Sequence, residues 1–277
     1  MKARFSPLQT IAILLLAVMA VLVIVVPLLP IYDPYGQNLS DSLLPIGGRS
    51  FNGHFYLLGT DTLGRDMLSR LALAGQVSTL IGLSAVAVSL VIGVTLGLIA
   101  GYFRGPIEAI IMGLADLQLS IPRVLLLIAV TAIVGPSVAG LAIILGVTSW
   151  VSYGRVARGM TLSLREREFI LSARVQGASA VWNIRQHLLP NVLPQMLIVA
   201  SYEFGMIIVL EASLSYLGLG VQPPLPSWGM MVAEGQNYLA LAPHLAIMPS
   251  IALFILVIGF QFLSQAFTKE NDLEMVA

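Results

Sequence analysis

Apolar and polar positions along this chain alternate on the scale of a bilayer. Six apolar runs, at roughly 8–29, 77–101, 111–135, 138–153, 193–217 and 244–267, approach the twenty or so residues a helix needs to cross one. The fourth is short and the third is interrupted. Polar connections fill 31–75, 102–110, 154–192 and 218–243, and Gly135-Pro136-Ser137 is a tight turn. The pattern predicts an all-α, polytopic bundle of six transmembrane helices. The run Leu8 to Leu29 is longer than a signal-peptide core of about 7–15 residues, and no A-x-A-like site follows it, so it reads as a retained span.

Composition agrees. The 277 residues are 57% hydrophobic and 10% charged, with mean hydropathy +0.91, against about 25% charged residues in a soluble domain. The net charge is zero, which gives no reason to expect nucleic acid. With no cysteine, disulfides, thiolate metal sites and cysteine nucleophiles are excluded. The few charges set direction. With the N-terminus inside, the inner segments hold Lys2, Arg4, Arg104, Arg155, Arg158, Arg165, Arg167, Arg174, Arg185 and Lys269. The outer ones hold only Arg49, Arg65 and Arg70, beside Asp33, Asp41, Asp61 and Asp66. The positive-inside rule therefore puts both termini in the cytoplasm. No linker or internal repeat divides the chain. It reads as an N-terminal span with an outer segment (1–75), followed by a five-span core (76–277) that carries an inner loop at about 154–192. Ser89, Gly93, Gly97 and Gly101 form a small-xxx-small stripe on the second span, suited to close helix packing.

The inner loop contains "SLREREFILSARVQGASAVWNIRQHLLPN". Ser163 and Glu166 have capping-box spacing, which predicts a helix starting near Leu164. Leu162, Phe169 and Ala173 fall near one face of it. Gly177 suits the left-handed end of a helix. Ser179 would cap a second short helix with Val181, Ile184 and Leu188 on one side, and Pro190 would stop it. An amphipathic loop lying on lipid headgroups explains the arginines but not the glycine break.

Ser172-Ala173, Gly177 and Leu189-Pro190 resemble, in identity and spacing, the EAA loop of binding-protein-dependent ABC importers. "LGTDTLGRDMLSRL" (58–71), "GLIAGYFRG" (97–105), "YGRVARGMTLSLREREF" (153–169) and "LEASLSYLGLGVQPPLPSWGMMVAEGQNYL" (210–239) are similar to the dipeptide/oligopeptide/nickel permease branch. The resemblance implies the type I importer permease fold in a bacterial or archaeal cytoplasmic membrane. It implies a partner permease, two ABC ATPase subunits that bind ATP and magnesium, and an extracytoplasmic solute-binding protein. No cofactor is implied for this chain. Glu168, Ser172, Ala173, Gly177 and Ala178 would dock on an ATPase, with Leu189-Pro190 setting the return to the membrane. Two departures stand out. Leu171 replaces the first acid of the EAA triplet, Glu168 lying one turn earlier, and the ending "SQAFTKENDLEMVA" lacks the branch's usual "GD-LRD-LDP".

No catalytic machinery is visible. A P-loop needs a lysine in a glycine-rich turn, and the two lysines, Lys2 and Lys269, have none. Neither H-E-x-x-H nor G-x-S-x-G occurs. His54, His187 and His244 are far apart. His54 reads as structural or near an outer docking face, and His187 as a solvated polar residue. Charges in apolar runs carry more weight, because they are costly there and usually meet a partner or a cavity. Asp116 and Arg123, seven apart, would share a helix face and pair, and Asp116 is, with Glu203 and Glu211, a candidate for the translocation path. Glu203 lies in mid-span, where related permeases usually have an uncharged residue; it would either hydrogen-bond a neighbouring helix or line the translocation path. Glu211 belongs to the branch's "EA-LS-LGLG" motif and would shape an outer gate. Outside, Asp66 to Ala74 would form an amphipathic helix. The loop with Pro223, Pro224, Pro226 and Trp228 is either the floor where a binding protein docks, with the tryptophan at the interface, or a packing element. The function expected is a non-catalytic permease subunit for di- or oligopeptides. The same machine carrying nickel or a metal chelate is the near alternative, and a proton-driven carrier working through Glu203 or Glu211 is the distant one.

Overall fold

A computed structural model describes residues 7–276, with side chains described as far as Thr268. The apolar runs become α1 (Pro7–Ala20), α2 (Met67–Phe103), α3 (Gly105–Leu119), α4 (Arg123–Val134), α5 (Val138–Leu164), α8 (Leu189–Tyr216) and α10 (His244–Val276). Between them lie the short α6 (Glu168–Val175), α7 (Ala180–Asn183) and α9 (Trp228–Gly235), and a small antiparallel hairpin, β1 (Gly48–Arg49) with β2 (Phe55–Tyr56). Among the described residues five helices are long and apolar enough to cross a membrane, and six when α3 and α4 count as one span. The third run is therefore not one helix. It breaks at 120–122 with a 90° bend, because Pro122 supplies no N–H and disfavours helix at the residue before it. The fourth run is longer than its apolar part, since α5 continues in a single helix to Leu164.

The stripe on α2 does what its spacing suggests. A Cβ on Gly93 would lie 2.4 Å from the Trp150 carbonyl oxygen, and one on Gly97 2.5 Å from that of Gly154. One on Gly101 would meet Thr161 at 2.6 Å. Glycine alone lets α2 and α5 touch backbone to backbone, and the two form the spine of the bundle. At its inner end the Arg165 guanidinium donates to the Tyr102 carbonyl at 2.6 Å, satisfying a free oxygen at the end of α2.

Apolar clusters pack along this spine, one of them setting Ile111 and Ala115 of α3 against Ala100, Trp150 and Val151, and three more follow its length. The outer one joins Met67 and Leu71 to Trp228, Met231 and Leu245. The middle one gathers Ile81, Leu127, Leu141, Leu145 and Ile207. The inner one holds Val94, Tyr153, Ala157, Ile170, Leu188 and Met196. α1 continues through a π turn, Val21–Val25. Gln76 donates to the Val23 carbonyl at 3.0 Å, so a polar side chain in an apolar run has a backbone partner.

Outside the bundle, residues 31–66 fold into a cap. The buried Asp41 carboxylate accepts from Asn38 and Ser50 at 2.8 Å and from Tyr56 at 3.1 Å. Asp66 caps α2 by accepting from the Ser69 amide at 2.8 Å, and the helix then runs unbroken to Phe103. Asp61 pairs with Arg65 at 2.6 Å and with the buried Arg70, which also reaches Glu234 of α9 at 3.2 Å. Burial alone would raise the Asp61 carboxyl, but the Arg70 and Arg65 contacts outweigh it and hold it below its ordinary value. Trp228 does not sit at an interface. It is fully buried, with its indole N–H donating to the Leu71 carbonyl at 3.0 Å. The proline loop thus packs α9 against α2 and α8.

Candidate functional site

The inner loop forms a knuckle of two short helices about a glycine. α6 ends as a Schellman turn: the Gly177 amide donates to the Arg174 carbonyl and the Ala178 amide to that of Ala173, each at 3.0 Å. Gly177 has φ +88°, the left-handed conformation that glycine adopts without penalty. Ser179 caps α7 by accepting from the Trp182 amide at 3.2 Å. Ser163 and Glu166 make no capping box, because Ser163 is still in the last turn of α5 and α6 starts only at Glu168, with no side-chain cap. Continuous α5 packing against α2 wins over the local signal.

Pro190 does not stop the second helix. The chain passes from α7 through a π turn, Ile184–Leu188, directly into α8. In that wider turn the Leu189 amide donates to the Ile184 carbonyl five residues back, and Pro190 sits in the first turn of α8, where its missing N–H costs least. Asn191 adds a side-chain bond to the His187 carbonyl at 2.7 Å.

The knuckle is fastened by Ile170, Leu188 and the polar Asn183, all fully buried, and is more open elsewhere. Ile170 and Leu188 are fully buried in the inner core layer. Val175 is 88% exposed and Val181, expected on the inward side with Ile184 and Leu188, is 72% exposed. A hollow of about 780 Å³ opens between the helices, lined by Phe169, Ala173, Gly177, Ala178, Trp182 and His187 among others. Glu168, Ser172 and Pro190 are exposed, and Ala173, Ala178 and Leu189 are half-buried. The structure thus brings Glu168, Ser172, Ala173, Gly177 and Ala178 onto one protrusion, with Leu189 and Pro190 at its root. His187 is more than a solvated residue: its ring meets the edges of Trp182 and Phe169 at 5.0 and 5.7 Å. Its position five residues past Trp182 hid that contact, since the π turn changes which residues share a face.

The charges in the apolar runs separate into two kinds. Asp116 and Arg123 do not pair, because the break at 120–122 puts them on different helices. Asp116 binds Arg155 of α5 at 2.5 Å, with both side chains well exposed. Glu108 likewise accepts from Arg158 at 2.6 Å. Arg123 turns inward to Glu203, at 3.7 Å, and to the Ser149 hydroxyl. Glu203 is 3% exposed, so its environment is the junction of α4, α5 and α8. Glu211 is wholly buried and accepts from Ser78 at 2.9 Å and Ser215 at 2.7 Å, linking α8 to α2. In this conformation its oxygens meet only other groups of the chain. Among the described residues no three His, Cys, Asp or Glu side chains gather as a metal site.

Residues 93–270 match the family described as binding-protein-dependent transport system inner membrane component. The chain belongs to that family. A glutathione transport system permease protein of Pectobacterium atrosepticum is 41% identical over 215 residues, covering 78% of this chain and 71% of its relative. A dipeptide transport system permease protein of Alkalihalophilus pseudofirmus is 36% identical over 217 residues, covering 78% and 71%. A probable D,D-dipeptide transport system permease protein of Escherichia coli is 35% identical over 255 residues, covering 92% and 84%. The inward-facing MetNI methionine ABC transporter aligns with TM-score 0.54 and 20% identity over 68% of this chain and 90% of its own. That likeness concerns the fold, and the chain has the type I permease fold. This inner membrane component is a multi-pass membrane protein of the ABC transporter permease class.

Proposed function

We propose that this permease forms half of a translocation path for di- or oligopeptides and takes its power stroke from a separate ATPase seated on the α6–Gly177–α7 knuckle. The peptide class rests on the names of its relatives, which are dipeptide and glutathione permeases. The ATPase reading rests on the knuckle itself. It presents Phe169 and Trp182 at the hollow and Val175 and Val181 outward, while Ile170 and Leu188 tie it to the core. Small residues at Ala173, Gly177 and Ala178 admit a partner's backbone. A partner that changes shape with nucleotide must shift the bundle by its differential affinity, about 5.5 kcal/mol to reverse a 1:99 equilibrium, and only a stiff contact transmits that.

A second, homologous permease completes the path, a binding protein delivers solute from outside, and both termini lie in the cytoplasm. The chain itself performs no chemistry.

Gly177→Trp tests the docking. Its left-handed backbone is strained with any side chain, and the indole would fill the hollow. Transport should be lost and co-purification with the ATPases should fall, while the spans keep their helical content and thermal transition. Undiminished substrate-stimulated ATPase activity in the variant complex would refute the docking role.

A further inference from the structure

α8 carries two buried carboxylates, and their seams are finished to different degrees. At Glu211 both oxygens are served, by Ser78 at 2.9 Å and by Ser215 at 2.7 Å. At Glu203 the facing cation, Arg123 of α4, stands 3.7 Å away, beyond hydrogen-bond reach. Among the described residues six buried side-chain atoms have no hydrogen-bond partner, and four of them lie where α4 meets α5 and α8: Arg123 Nε, Thr131 Oγ1, Tyr153 Oη and Glu203 Oε2. Tyr153 of α5 is within electrostatic reach of both Arg123 and Glu203. The four atoms are enclosed by the chain itself, so their state does not depend on what surrounds it. A buried seam with unpaired donors and acceptors is costly to hold shut.

α4 is also jointed at both ends. Pro122 parts it from α3 at the 90° bend, and Gly135, at φ +86°, parts it from α5. A Cβ at Gly135 would meet nothing within 4 Å, so this glycine serves conformation rather than packing. The flanks are fixed. On the α3 side Gln118 donates to the Thr148 carbonyl at 2.6 Å and accepts from the Trp150 indole at 2.9 Å. On the α5 side Ser137 accepts from the Gly140 amide at 3.0 Å. Between them run twelve residues, about 18 Å of helix. Within the chain this rod buries only Leu127 and Thr131, with Leu127 in the cluster of Leu141, Leu145 and Ile207.

We propose that α4 is a moving strap: during transport it swings as one rod about Pro122 and Gly135, parts Arg123 from Glu203 and opens their seam to water, then closes again. The unpaired atoms make parting cheap, because each gains a hydrogen bond to water as the seam opens. A few residues at the ends of an element suffice as hinges. The Glu211 seam, with both oxygens paired, stays shut, so α2 and α8 move together.

Two measurements on the full complex test the strap. Without nucleotide, the amides of 123–134 should exchange hydrogen as a unit, at least about tenfold faster than those of α5. Thr131→Val removes an unpaired hydroxyl at equal size, so it should slow that exchange about fivefold. Equal exchange in α4 and α5, or an unchanged or faster rate in Thr131→Val, would overturn the proposal. The second measurement uses the absence of native cysteine. Thr131→Cys should react with a small maleimide about tenfold faster in one of two states, with or without a non-hydrolysable ATP analogue. Thr161→Cys, buried against Gly101 at the α2–α5 seam, should react slowly in both. Equal nucleotide effects at the two cysteines, or none at Thr131→Cys while exchange at the knuckle responds, would also defeat it. This comparison rests on the ATPase reading above. If nucleotide changes nothing, the knuckle included, that reading fails, and the exchange rates alone decide the strap.

Discussion

The outer cap and the inner knuckle are both excursions from the same bundle, and they are built in opposite ways. In the cap, polar groups close on one another: Asp41 has three donors, Asp61 has two arginines, and Trp228 is buried with its N–H satisfied. In the knuckle, apolar side chains face out, while Ile170, Leu188 and the polar Asn183 are fully buried. The cap is held together by its own contacts. Both regions leave large apolar side chains exposed, Phe51 and Leu39 in the cap and Val175 and Val181 in the knuckle, so what separates them is the closed polar network of the cap.

The contrast is sharpest under mutation. Asp61→Asn leaves Arg70 buried, with only its longer contact to Glu234. Removing one partner of such a pair typically costs about 3–5 kcal/mol, so limited proteolysis of the 31–66 segment should accelerate strongly. A resistant cap would mean that the Asp41 cluster suffices. Next in size, Ile170→Ala opens a hole in the inner layer at about 2–5 kcal/mol. Hydrogen exchange should rise across α6 and α7 and leave the cap untouched; a uniform rise would show that the two regions are one cooperative unit. Val175→Ser, at an exposed position, should alter stability by no more than about 0.5 kcal/mol yet weaken ATPase co-purification. Loss of stability without loss of binding would reverse the assignment.

Acid gives the mildest test. The folded Asp61 carboxyl titrates below its ordinary value, so its contribution is fully present above about pH 4, the unfolded carboxylate range. It is lost as pH falls through the lower folded value. Protection of the cap should therefore hold from neutrality to about pH 4 and decline only below it. A decline centred near pH 6 would implicate another group.

The spans, the glycine stripe, the Gly177 turn and the Ser179 cap were all legible, because each depends on residues within one or two turns of each other. What escaped depended on distance or on a changed helical repeat. Asp116 and Arg123 looked like partners only while the third run was one helix; Pro122 breaks it, and the true partners, Arg155 and Glu203, come from other helices. Ser163 and Glu166 have cap spacing, but the glycine seam with α2 keeps α5 helical past them. Pro190 is an ordinary stop signal that a π turn absorbs. The proline loop read either as a docking floor or as a packing element, and nothing local reveals that it packs, with Gly75 making room and Leu71 a carbonyl for the Trp228 ring. Of the residues expected at the coupling surface, position in the fold was readable. Whether a carboxylate such as Glu203 lies toward a cavity or inside the protein was not, since the same apolar neighbours in sequence serve both.

The π turn at Ile184–Leu188 has a geometric corollary. It amounts to one surplus residue threaded into an otherwise α-helical rod. Excising any single residue from it would restore a uniform pitch and swivel everything upstream by about 100° around the axis, aiming Trp182 and Val181 a quarter-turn or more away from their present heading. The bearing of the knuckle is thus encoded in chain length as much as in chemistry.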